Sequence, residues 1–289
     1  MSVATLRSEP EPASCGVHGV AEVGFIDKAG ESRLDHLYQH DPLRGLFPEP
    51  PRGEPPCAIL IPTSGGLVGG DRLDISITAG PGTAVLAMAQ AAEKVYRSAG
   101  PDSLIDVRLA VGWDAWLEWL PQETILFDGA RLRRRTAIEL AAGAKILAGE
   151  ILVFGRIASG ERLSHGLVRE EWNVRRDGRF VWADALHLEG DMEDLFADPA
   201  CFSGATTQAT AIYADDNPVE YLDLARSLLA KADGDGDLRA AATVVNGVLV
   251  ARWLGRDPAR LRRAFGEFWA GFRHGCAGLP ATLPRLWTI

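Results

Sequence analysis

Cysteine is sparse in this chain of 289 residues, and long apolar runs are absent. The four cysteines lie far apart and form no Cys-x-x-Cys pair, which excludes zinc-ribbon and thioredoxin-type sites. No run of about 18 apolar residues is present, so we predict no membrane-spanning helix. The first residues carry Arg7, Glu9 and Glu11 without an apolar core, unlike a secretory signal. Together these absences predict a cytoplasmic protein kept in a reducing compartment.

Catalytic and nucleotide-binding motifs are missing as well. There is no Gly-x-Ser-x-Gly elbow, no His-Glu-x-x-His pair, no P-loop lysine and no Gly-x-Gly-x-x-Gly opening a helix. The formal net charge of −9 argues against nucleic acid as a partner, because phosphate binding needs a basic surface. His36 and His40 would share a metal only on a helix, and Asp41-Pro42 disfavours a helix there.

Short strand-like segments dominate residues 16–212, after a tail at 1–15 that we expect to be flexible. Apolar and polar residues alternate over 73–78 and 104–109, as in half-buried strands. Asp177-Gly178 separates two aromatic segments and predicts a hairpin. Residues 16–289 are therefore predicted to form a single, mainly β domain.

Helix signals appear late in the chain. Asn217-Pro218 offers an N-cap followed by proline at the first helical position, and predicts a helix over about 217–231. Asp257-Pro258 predicts a second helix over about 257–274, ending near Gly275. The acidic run at 232–237 resembles the start of a calcium loop but lacks its distal glutamate, so we interpret it as a surface turn.

Three strings carry the most information: the glycine loop at 65–71 (GGLVGGD), 90–98 (QAAEKVYRS) and 117–128 (LEWLPQETILFD). The paired glycines alone are typical of a sharp turn or close backbone approach. With these strings in this order, the chain resembles the urease accessory protein D family (UreD, also called UreH). Further matching segments lie at 37–43, 129–132, 150–156, 182–186 and 283–287.

The resemblance implies a fold and a function. The fold would be a flattened β-helix-like stack of two mixed sheets, with a small helical element near the C-terminus. The function would be that of a non-enzymatic urease maturation chaperone that binds apo-urease and the accessory F and G proteins, G being the GTPase that delivers nickel. No intrinsic cofactor is expected beyond a transient nickel ion. Pro62 and Met88 depart from the residues usual in the family and affect only the expected local loop geometry.

Carboxylates inside apolar segments are the candidate site residues. Asp71 ends the glycine loop, while Glu150 and Asp184 interrupt apolar runs. Each could pair with an arginine, cap a backbone amide or point to water. With the family resemblance, they become candidates for a transient nickel path. Nickel prefers imidazole and thiolate, so the absence of a His/Cys cluster argues against tight metal storage on this chain.

Several alternatives remain open at this point. The run Arg131–Arg135 is interpreted as a solvated strand edge or loop, or as a contact for an acidic partner. The C-terminal segment through Trp287 is either a partner-facing element or packed core. A β-helix enzyme that cleaves acidic polysaccharide with paired carboxylates and a nucleotide binder using the glycine loop are the competing functions.

Overall fold

The computed structural model describes residues 16–230 and 236–287. In chain order the strands are β1 His18–Lys28, β2 Glu31–His40, β3 Leu43–Leu46, β4 Cys57–Pro62, β5 Arg72–Ala79, β6 Ala84–Ala89, β7 Glu93–Val95, β8 Ser103–Val111, β9 Trp116–Leu120, β10 Thr124–Leu126, β11 Arg131–Leu140, β12 Lys145–Phe154, β13 His165–Arg176, β14 Arg179–Asp191, β15 Thr207–Ala214, β16 Leu238–Val245 and β17 Val248–Gly255. The helices are α1 Glu193–Ala197, α2 Leu222–Ala230 and α3 Pro258–Ala277, with 3₁₀ turns at Ile157–Ser159, Pro218–Tyr221 and Arg285–Trp287.

Two mixed sheets stack face to face, and the chain winds between them. The first sheet has the order β14-β13-β11-β8-β5-β1-β2, and its strands β1, β5, β8, β11 and β13 run parallel. The second has the order β16-β17-β15-β12-β9-β6-β4-β3, with β10 paired to β12 and β7 paired to β10. Each turn of chain contributes a strand to each sheet and stacks on the turn before it. The predicted flattened β-helix-like stack of two mixed sheets is confirmed.

Alternation along the strands creates two hydrophobic layers. In β5 and β8 every second residue is buried, and these residues fill the space between the sheets. Strands β9 and β12 are buried on both faces, because the second sheet is covered outside by α2 and α3. Strands covered on both sides need continuous rather than alternating apolar sequence.

The predicted strands at 73–78 and 104–109 are confirmed as β5 and β8, and the predicted hairpin as β13–β14. The strand-rich region does not end at 212, however. β16 and β17 form a further antiparallel hairpin through Asn246-Gly247, both with positive φ. Asn-Gly is the sequence typical of such a two-residue turn.

The second helix begins as predicted but ends later. Asp257 caps it by accepting hydrogen bonds from the amides of Ala259 and Arg260. α3 continues to Ala277, close to the predicted end, and Gly278 rather than Gly275 takes the left-handed conformation, at φ 65°. A Cβ at Gly275 would lie 2.4 Å from Leu224 Cδ2. Gly275 therefore serves close packing of α3 on α2 rather than helix termination.

The first helix begins with the 3₁₀ turn at 218–221 before α2. Asn217 does not cap it, because its side-chain amide donates to Glu220 instead. The tail at 1–15 and most of the acidic run at 232–237 lie outside the described residues. In the described ranges, no helix is long and apolar enough to cross a membrane.

The basic run Arg131–Arg135 is neither a strand edge nor a loop. It begins β11, which lies inside the first sheet between β8 and β13. Alternation divides the run between two environments, since Leu132 and Arg134 face the second sheet while their neighbours face outward. A run that is mostly basic in sequence thus has one buried face and one outward face in the fold.

A buried carboxylate cluster as the candidate functional site

Arg134 is the centre of a polar cluster between the two sheets. Its Nε donates to Glu170 Oε2 at 2.7 Å, its Nη2 to Glu150 Oε2 at 3.0 Å, and its Nη1 to Thr124 Oγ1 at 2.9 Å. Glu150 also accepts from Trp172 Nε1 at 3.0 Å. The sheet register explains the arrangement: Arg134 and Glu170 are paired positions of β11 and β13, and Glu150 reaches across from β12.

The cluster holds two carboxylates for one guanidinium, and all three side chains are buried. Glu170 Oε1 has no hydrogen-bond partner although it is inaccessible. Burial, followed by the nearby Glu150 charge, raises the pKa of Glu170 well above its usual value despite Arg134. The site therefore has excess negative charge, or a proton, to accommodate. A proton shared with Glu150, or an ordered water, would satisfy the free oxygen of Glu170.

A cavity of about 60 Å³ adjoins this cluster and is lined by Arg134, Glu150, Thr136 and Glu93 among others. This volume has room for several waters. Burial raises the pKa of Glu93 to about 7; Arg134 and Lys94 oppose the shift and the Asp71 charge adds to it. Glu93, which lines the cavity, and Glu170, in the adjoining cluster, therefore have raised pKa values and hold a proton more readily than ordinary glutamates.

Asp71 anchors the glycine loop. Its carboxylate accepts from the amides of Val17 at 2.9 Å and Val68 at 2.8 Å. This is the backbone-capping arrangement considered for it from sequence, and it holds Asp71 close enough to influence Glu93.

The glycine loop is a close-packed turn, as its sequence predicted. A Cβ at Gly66 would lie 2.5 Å from the Tyr96 ring, and one at Gly69 would lie 2.7 Å from the carbonyl oxygen of Pro101. Leu67 bridges to Val95. β7 then pairs with β10, so the three informative strings are neighbours in space. Residues of the second and third strings, among them Glu93 and Thr124, line the cavity, and the glycine loop packs against the second string.

Asp184 lies at the open edge of the stack. It forms an ion pair with Arg252 of β17, in the opposite sheet. In register it faces Trp172, whose indole binds Glu150. Arg252 and Glu150 are both paired with Thr210 of the intervening strand, so about two strand spacings, roughly 10 Å, separate them.

The three predicted carboxylates thus do not meet at a point, and only Asp71 and Glu150 are buried. Asp71 is at the loop end, Glu150 in the middle and Asp184 at the edge. Across residues 16–230 and 236–287, no group of three or more His, Cys, Asp or Glu side chains is arranged to hold a metal ion. His36 and His40 lie on β2 rather than on a helix, so they do not form the helical pair considered from sequence.

Sequence reasoning missed Arg134 and Glu170. Arg134 lies in a basic run, although its spacing of two residues from both Leu132 and Thr136 indicates that it shares their buried face of the strand. No local pattern identifies Glu170 as its partner, because the pairing depends on the register between β11 and β13.

A second buried ion cluster fixes α3 to the second sheet. Glu118 of β9 accepts from Arg273 and from Trp269 Nε1 at 2.7 Å. Arg273 also binds Glu54 at 2.6 Å, together with the carbonyl oxygens of Pro280 and Thr282. Every group is partnered, so this cluster serves to attach the helix, the loop before β4 and the C-terminal segment.

Trp287 belongs to this packed region. Its ring stacks on Phe265, with centroids 5.9 Å apart, beneath the guanidinium of Arg262. Of the two alternatives left open for Trp287, a partner-facing element or packed core, the structure shows packed core.

Comparison with known proteins explains why the three informative strings occur together and in this order. The UreD urease accessory protein family model matches residues 17–288. A urease accessory protein UreD from Magnetococcus marinus is 49% identical over 100% of this chain and 99% of its own length. UreD 1 of Methylobacterium radiotolerans is 42% identical over 92% of this chain and 89% of its own, and UreD of Rhodopseudomonas palustris is 40% identical over 93% and 90%. The chain therefore belongs to the UreD urease accessory protein family.

Proposed function

We propose that this protein is a non-enzymatic chaperone of urease maturation that assists insertion of nickel into the apo-urease active site. The observation that carries the proposal is similarity over essentially the whole chain to proteins named urease accessory protein UreD. Family membership supports a role in urease maturation. The partners we propose are apo-urease and the accessory proteins F and G, acting in the cytoplasm.

We propose that carboxylates would provide the route for the ion. The proposed route runs from the glycine loop to the open edge at β14, past Asp71, Glu93, Glu150, Glu170 and Asp184. Oxygen ligands bind nickel less tightly than imidazole or thiolate, so a series of them would pass an ion along rather than retain it. The unpartnered oxygen of Glu170 and the adjoining cavity support placing a transient cation there.

The competing functions are less well supported. Polysaccharide cleavage needs two carboxylates on an accessible groove, but Glu150 and Glu170 are only 5% and 2% exposed. A nucleotide cradle needs free backbone amides in the glycine loop. In that loop the amides of Leu67 and Val68 already donate to Lys94 and Asp71.

The first test is deletion and restoration of this gene in cells that carry the urease structural and accessory genes. We expect inactive, nickel-poor urease that recovers on complementation. Full activity and normal nickel without the gene would refute the proposed function.

The route is tested in the same cells by Glu150→Gln and Glu170→Gln, which keep the shape of the side chain but replace one carboxyl oxygen with an amide that cannot become an anionic ligand. We expect urease nickel to fall at least about tenfold while the accessory protein stays folded and abundant, since a metal ion can displace a proton from a glutamate but gains no anionic ligand from a glutamine. Glu49→Gln, at an exposed position, is the matched control. Nickel contents equal to the control in both variants would refute the route and leave the chaperone role standing.

A further inference from the structure

The outward side of the first sheet is a broad, charged surface. Strands β8, β11 and β13 lie side by side and parallel, and every second residue of each points away from the core. We call this surface the arginine face. Its charged members are Asp106, Arg108, Arg131, Arg133, Arg135, Glu139, Arg169, Glu171 and Arg175.

Most of these charges are neutralised locally. Asp102, just before β8, accepts from both Arg131 and Arg133. Arg169 binds Glu171. Arg72 of β5 binds Asp106 at 2.9 Å. The acidic groups next to the middle of the face are thus already engaged by other arginines.

Arg108 and Arg135 remain without an ion-pair partner among the described residues, and both are exposed. They are diagonal neighbours on adjacent strands, since Arg135 is paired with Asp106 and Arg108 with Ala137. Two unpartnered guanidinium groups side by side repel each other. An incoming anionic surface would relieve this repulsion.

Aromatic side chains flank these arginines at the turn end of the same sheet. Phe180, 52% exposed, opens β14 and carries the Arg175 guanidinium over its ring at 5.4 Å. Trp113, 67% exposed, is in the turn that follows β8. Exposed Trp, Phe and Arg together are the composition enriched in the energetically important parts of protein interfaces.

From this geometry we infer that the arginine face docks a folded protein partner through an acidic patch, and that this partner is apo-urease. The middle of a sheet, paired on both sides, suits a folded body better than a single peptide, which needs a groove or a free strand edge. On a protein whose overall charge is −9, a locally basic face would orient an acidic partner, because the rest of the surface repels that partner and this face attracts it. The inference rests on the proposed function for the identity of the partner.

The test is binding of the full-length chain to immobilised apo-urease, with Arg108→Glu and Arg135→Glu combined. We expect association to slow at least about tenfold at about 0.05 M salt, and the difference from wild type to shrink at about 0.5 M salt as screening removes the steering. The matched control combines Arg52→Glu with Arg226→Glu, two exposed arginines on other surfaces, and carries the same change in charge.

The outcomes separate this inference from the proposed function. Equal binding of both double variants, with wild-type binding intact, overturns the arginine face alone. If the Arg108/Arg135 variant binds apo-urease normally but no longer binds the F–G complex, the choice of partner is wrong. The choice is also wrong if the wild-type protein binds duplex DNA and only the Arg108/Arg135 variant loses that binding. If the wild-type protein does not bind apo-urease, and deletion of its gene leaves urease fully active, the proposed function itself is overturned.

Discussion

At the scale of single residues, the interior of this protein contains costly groups that a purely structural stack does not need. Glu150 and Glu170 share one guanidinium, and one oxygen of Glu170 is unsatisfied. Replacing such a set with apolar residues often stabilises a protein. The free energy spent on keeping these carboxylates buried is consistent with a functional requirement for anionic oxygens inside the stack.

Glu93 bears the same kind of cost. Its pKa rises from 4.5 to about 7 on folding, chiefly through burial. The folded state therefore binds the proton more tightly, and the free energy of unfolding falls as pH rises from 4.5 to about 7. Above that range the cost is complete.

We expect Glu93→Gln to stabilise the protein by about 2 kcal/mol at about pH 8 and by less than about 1 kcal/mol at about pH 5. Urea unfolding at the two pH values measures the difference, and Glu49→Gln again serves as the exposed control. The same gain at both pH values would show that ionisation of Glu93 is not its cause.

At the scale of elements, the C-terminal 3₁₀ turn depends on one side chain. Trp287 is 4% exposed and fills the space beside Gly266 of α3, where a Cβ would lie 2.6 Å from the indole Nε1. We expect Trp287→Ala to lower the free energy of unfolding by about 3–4 kcal/mol, because it leaves a cavity under α3. Urea unfolding measures this loss, with Val219→Ala, at an exposed position, as the control.

A different result would revise the role of this segment. If Trp287→Ala were as stable as the control but bound apo-urease or the F–G complex more weakly, the turn would be an interface element that happens to rest on α3.

Elements with local signals were predictable from sequence, and those that depend on long-range register were not. Alternation identified β5 and β8, and Asp177-Gly178 identified the β13–β14 hairpin. The β16–β17 hairpin carried an equally clear Asn246-Gly247 signal. The end of α3 was predicted slightly early because a glycine that allows close helix packing looks like a terminating one.

The candidate site was predictable only in part, for the same reason. Glu150 stood out as a charge within an apolar run. Its partners Arg134 and Glu170 lie 16 and 20 positions away on other strands, and only the stacking order brings them together. Sequence alone identified the groups that are costly to bury, while the fold determined which of them share a cavity.

At the scale of the whole molecule, the ion pair between Asp184 and Arg252 links the two sheets at the open edge. The bridge is partly exposed, so each charge reversal, Asp184→Arg or Arg252→Asp, should cost only about 0.5–1 kcal/mol. The double variant restores opposite charges across the edge and should recover most of this loss, a coupling that urea unfolding of all four proteins measures.

The same four proteins distinguish two roles for Asp184: holding the edge of the stack closed, and passing nickel. On the proposed route the carboxylate must lie on β14, opposite Trp172, to follow Glu150. We therefore expect the double variant to regain stability while urease in the complemented cells remains nickel-poor. Recovery of both stability and nickel would mean that Asp184 only closes the stack, and that the route leaves the interior elsewhere than at β14. Because the interior carboxylates are otherwise enclosed between the sheets, that result would direct the search for an exit to the glycine-loop end, where Asp71 and Glu93 lie together.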